Sequence, residues 1–129
     1  MDKDIPIVVV ADNSPTIKTL FERSTEKLGI ELIIFDSAEN ARTYLKSNKP
    51  DLLILSIILP DKDGLSFLKE LRKLPLHQDT SVIMVSSKDY TQDREAADRL
   101  GALEFIPKPM SMQTITNFVV KYTEAKHTD

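Results

Sequence analysis

The chain contains no cysteine, which excludes a disulfide framework and a thiolate metal site and makes a reducing compartment the default. Charge of one predominant sign is also missing. Acidic and basic residues number 20 and 17, the net charge is -3, and no segment carries a block or stripe of like charge, so nucleic acid is not an expected partner. Long apolar runs are lacking too. The N-terminus, MDKDIPIVVVAD, begins acidic, has no basic region and offers an apolar stretch far too short for a signal peptide or a membrane span. The expectation is a soluble cytoplasmic protein with no membrane partner. There are no repeats, low-complexity tracts or linkers, while 129 residues at 41% apolar content suffice for one sizeable core. One domain over 1–129 is therefore expected.

What the sequence does contain is a regular alternation. Four short apolar runs, Ile7 to Val10, Leu32 to Phe35, Leu52 to Leu55 and Val82 to Val85, are followed by a briefer Phe105-Ile106. Continuous rather than alternating hydrophobicity predicts strands covered on both faces. Between them lie segments of helical spacing. The first, with Ile17, Leu20, Phe21, Ser24 and Leu28, is introduced by Ser14-Pro15 and closed by Gly29. The second has Ser37 as cap and Ala38, Ala41 and Leu45 on one face. A third runs from Gly64 through Leu65, Leu68 and Leu71 until Pro75, and a fourth from about Thr91 to Leu100 before Gly101. That fourth helix offers little beyond Ala96, Ala97 and Leu100 to bury and should be the most loosely held. The fifth, from Ser111, places Ile115, Phe118, Val119 and Tyr122 at helical spacing, although TITNFVV is β-branched enough to read as a strand. Five strand-helix units with short connections predict an α/β fold: a doubly wound parallel sheet with helices on both faces and right-handed crossovers.

In such a sheet, ligands bind beyond the carboxyl ends of the strands. The residues there are Asp12 and Asn13, Ser56 to Pro60, Ser86 and Ser87, and Lys108. At these positions the sequence resembles a known family. IVVVADNSPTI is similar to the opening of a response-regulator receiver domain, and DLLILSIILPDKDGLSFLKELR to its phosphoacceptor strand and following helix. SVIMVSS is similar to its hydroxyl-bearing fourth strand, and GALEFIPKP to its lysine loop. The likeness covers essentially the whole chain in the correct order, and implies five strands in the flavodoxin-like order 2-1-3-4-5.

The resemblance also implies roles. Receivers place two acids after the first strand to hold Mg²⁺, and here those positions are Ala11 and Asp12. The phosphoacceptor aspartate falls on Ser56, the hydroxyl that follows the phosphoryl group on Ser86, the lysine on Lys108 and the metal-ligating carbonyl on Ile58. The aromatic switch position is Phe105, which lacks a phenolic hydroxyl. Phosphoryl transfer of this kind needs an attacking carboxylate, Mg²⁺ bridging acceptor and phosphate oxygens, and a cation on the developing charge. Only the cation is intact. Asp12, the Ile58 carbonyl and water make a poor Mg²⁺ site, so no cofactor is expected, with Mg²⁺ at most weakly bound. Ser56 is a weak nucleophile without a general base, and His77 and His127 fall far from these loops. The plainer structural readings are an ion pair between Asp12 and Lys108, a Ser86 hydroxyl satisfying nearby backbone, and turn or helix-start roles for Asp61, Asp63 and Gly64.

The expectation that follows is a non-enzymatic two-component signalling module. It would act through phosphorylation-independent contact with a histidine kinase, a phosphotransfer protein or an effector, or as a homodimer. The alternatives are a stable phosphoryl ester at Ser56, a residual phosphatase, and flavodoxin-like cofactor binding. ADNSPTI, with no glycine, disfavours the last.

Overall fold

The computed structural model describes residues 5–126, so His127 lies outside the described residues. Five strands, β1 (Ile7–Ala11), β2 (Glu31–Phe35), β3 (Leu52–Ser56), β4 (Val82–Ser86) and β5 (Glu104–Pro107), alternate with α1 (Pro15–Thr25), α2 (Ala38–Leu45), α3 (Gly64–Arg72), α4 (Thr91–Arg99) and α5 (Met112–Tyr122). The strands pair in parallel in the order β2-β1-β3-β4-β5. The expected doubly wound sheet is therefore found. Alternation of side chains along each strand divides the core into two layers. Val9, Leu53, Leu55 and Met84 pack with Phe67, Leu68 and Ala97 beneath α2, α3 and α4. On the other face Val8, Val10, Ile54 and Ile83 meet Phe21, Ile115 and Phe118 of α1 and α5, whose rings tilt at 46° with centroids 6.1 Å apart.

Burial on both faces holds for β3 and β4 throughout and for β1 beyond its first residue. It fails for β2 and β5, which are half-buried because each is a sheet edge with one open flank. Capping explains where the helices begin. The hydroxyls of Ser14, Ser37 and Ser111 and the carboxylate of Asp63 each accept a backbone N–H of the first turn. Ser111 and the three buried residues Ile115, Phe118 and Val119 make TITNFVV helical in spite of its β-branching. Gly29 does not end α1. The helix stops at Thr25, a turn follows in which Leu28 N–H donates to Thr25 C=O, and the N–H of Gly29 donates to Lys126 C=O. Gly101 does end α4, in the left-handed region at φ 81°.

The loop after β3 is anchored from two sides. Asp63 starts α3, while Asp61 reaches α2 and accepts the N–H groups of Ala38 at 3.0 Å and Glu39 at 2.9 Å. Those two donors, Ala38 first, hold the Asp61 carboxyl below the usual carboxylate range. A lowered folded value means that the contact stabilises at neutral pH and is lost as pH falls through that value. Asp61→Ala should therefore melt at a slightly lower temperature than the wild type at neutral pH, with the gap closing in acid. A gap that persists well below the carboxylate range would show that Asp61 acts otherwise.

Candidate signalling site

The sheet brings the carboxyl ends of β1, β3 and β4 together. Ala11 pairs in register with Leu55, Ser56 with Val85, and the N–H of Lys108 donates to Ser86 C=O at 2.8 Å, which draws the loop after β5 to the same place. Asp12, immediately after β1, has a side chain only 3% exposed. Its Oδ2 lies 2.8 Å from the Lys108 ammonium, itself 18% exposed. Oδ1 accepts the Ser14 N–H at 2.9 Å. Oδ2 has no further hydrogen-bond partner among the described residues, so Lys108 alone offsets that charge. The Lys108–Pro109 peptide bond is cis.

Ser56 closes β3 at 1% exposure, and its hydroxyl donates to the carbonyl of Ile58 at 3.1 Å. The three isoleucine-leucine neighbours diverge. Ile57 and Leu59 are buried in the layer beneath α2 and α3, whereas Ile58 is 56% exposed at the rim. Ser86 is buried and its Oγ accepts the Lys88 N–H at 3.0 Å, so its hydroxyl serves the start of the next loop. Ser87 is exposed and does not join the cluster. Ala11 is fully buried and contributes no polar atom. Among the described residues no group of three or more histidines or carboxylates is placed to hold a metal ion. His77 lies elsewhere: its ring is buried between the Thr80 hydroxyl and the Leu45 carbonyl, at 2.8 and 2.6 Å.

Phe105 is the half-buried residue of β5 opposite Met84, packed against the α2-α3-α4 layer. Its ring carries the Arg94 guanidinium at 4.8 Å. On the other face of the same strand Glu104 accepts the Tyr122 hydroxyl of α5. A carboxylate-lysine pair, a serine at the end of the central strand and a second buried hydroxyl thus gather at the carboxyl end of the sheet, with the Phe105 aromatic farther back on the edge strand, opposite Met84.

That arrangement has a family. The model of the response regulator receiver domain matches residues 8–120. The chain belongs to the response regulator receiver domain family. Among curated relatives, it is 31% identical over 108 residues to the alkaline phosphatase synthesis transcriptional regulatory protein PhoP of Bacillus subtilis, covering 84% of this chain and 44% of that protein. To the cyclic di-GMP phosphodiesterase response regulator RpfG of Xanthomonas campestris it is 30% identical over 105 residues, covering 80% of this chain and 28% of the other. The receiver thus spans less than half the length of either curated relative. The receiver domain of the Francisella response regulator 1452 superposes with a TM-score of 0.81 at 27% identity, covering 91% of this chain and 95% of that one. No described helix is long and apolar enough to cross a membrane.

Two residues that shape this receiver's site escaped the sequence reading. Asp61 reads as a local turn residue but caps a helix 23 positions earlier in the chain. Gly64 reads as a helix start, yet a Cβ there would stand 1.9 Å from the Ser56 carbonyl oxygen, so glycine is what lets α3 approach β3 at the site. Neither approach leaves a local signal.

Proposed function

We propose that this receiver is a protein-binding module of a two-component pathway that engages its partner without first accepting a phosphoryl group. The observation that carries the reading is the state of the end of β3. In the position the family uses for an attacking carboxylate stands a buried hydroxyl already donated to a backbone carbonyl. A serine alcohol needs a general base to attack phosphorus. The nearby carboxylate, Asp12, is held by Lys108 and the Ser14 N–H.

The same contacts argue against a resident Mg²⁺. That ion takes near-octahedral oxygen ligation, usually with one or two carboxylates. Ala11 offers no ligand, the Ile58 carbonyl already accepts the Ser56 hydroxyl, and Asp12 already faces an ammonium. These residues do not fit the metal. The proposed partners are a histidine kinase, a phosphotransfer protein or an effector in the cytoplasm, and the role is binding rather than catalysis.

Incubation of the whole chain with acetyl phosphate and Mg²⁺, followed by intact mass measurement, tests this. The mass should remain unchanged. A gain of one phosphate mapping to Ser56 would make the serine ester the correct reading instead.

A further inference from the structure

A receiver that takes no phosphate must set the position of α4 against β5 by contacts of its own, and α4 has few. Ala97 is its one buried residue, and its N-cap, Tyr90, is exposed and makes no side-chain capping bond. Two arginines supply what packing does not. At the C-terminal end Arg72 of α3 donates from Nε to Leu100 C=O at 2.7 Å and from Nη2 to Gly101 C=O at 3.3 Å. In the N-terminal half Arg94 lies over Phe105, and its Nε is paired with Asp89 in the loop just before the helix.

We propose that Arg94, steered by Asp89, is a positioning residue that pins Phe105 and thereby latches α4 onto β5 in the unmodified chain. The chemistry is that of a cation on the negative face of an aromatic quadrupole, with a carboxylate fixing the plane of the guanidinium. Phe105 is suited to the role of fixed partner. It sits on an edge strand, where one flank is open, and carries no hydroxyl with which to seek another site. Tyr122 on Glu104 ties the opposite face of the same strand to α5, so β5 is held from both sides. The inference deepens the phosphate-independent reading and rests on it for its purpose, but the latch itself is a property of three side chains, Asp89, Arg94 and Phe105.

Hydrogen exchange followed by mass spectrometry on the full chain tests it. Arg94→Ala should raise exchange over 91–100 and 104–107 about two- to fivefold, the ratio to which a cation–π contact at a partly exposed site converts, while β1 and α1 stay unchanged. Arg94→Met keeps apolar cover without charge and should behave like Arg94→Ala; Asp89→Asn should give a smaller rise in the same segments. Unchanged exchange in Arg94→Ala, full retention of protection in Arg94→Met, or a rise spread equally over all elements would overturn the latch. Its failure would be distinct from failure of the functional reading, which appears instead as phosphate on Ser56.

Discussion

Replacing Lys108 by methionine is expected to destabilise the folded chain by about 3 kcal/mol at neutral pH, the lower end of what orphaning a buried charge costs. The side chain of Asp12 is 3% exposed and its Oδ2 has no partner besides Lys108 among the described residues, so removing the ammonium leaves a carboxylate in a nearly dry place. The reverse substitution should cost less. Asp12→Asn keeps an oxygen for the Ser14 N–H, and Lys108, with 18% of its side chain exposed, can turn its ammonium to water. Denaturant melts of both variants at neutral pH measure this. Equal losses for the two variants would show that the pair contributes packing rather than charge compensation.

The paired change Ala11→Asp with Ser56→Asp should lower stability by about 2 to 3 kcal/mol without Mg²⁺ and make the melting temperature depend strongly on that ion. Three carboxylates would then surround one ammonium, and two of them would stand at positions that are 0% and 1% exposed. The change at position 56 also removes the hydroxyl that donates to the Ile58 carbonyl, so that hydrogen bond no longer competes with a metal for the oxygen. Metal binding only the native state would offset the repulsion by mass action. Ser56→Asp alone should show both effects more weakly. The wild type should melt alike with and without Mg²⁺, and a wild type as responsive as the double variant would mean that a competent metal site already exists.

How much of this was legible in the sequence differs by element. The central strands were plain because a parallel strand covered on both faces is continuously apolar, as Leu52 to Leu55 and Val82 to Val85 are. Leu32 to Phe35 carries the same pattern yet lies at an edge, since apolarity records what a residue tolerates and not whether its second flank is covered. The thin fourth helix was readable from its three small or apolar residues, and its burial at Ala97 alone agrees. Asp12 facing Lys108 could be anticipated because the loops after parallel strands gather beyond the carboxyl end of the sheet. What remained hidden depends on distance rather than on residue type. Arg94 over Phe105, Asp61 on the α2 cap and Gly64 against Ser56 are each made by turns of the chain that no window of neighbouring residues encodes.

On the proposed reading the site is complete as it stands and awaits no phosphoryl group. Beryllofluoride mimics an acyl phosphate only where a carboxylate and a divalent metal can receive it. The amide spectrum of the isotope-labelled wild-type chain, titrated with beryllofluoride and Mg²⁺, therefore tests the claim most directly. Resonances of Ser56, Ser86, Lys108 and the α4 segment should stay where they are throughout the titration. A saturable shift of those resonances, spreading from the end of β3 into α4, would contradict the account.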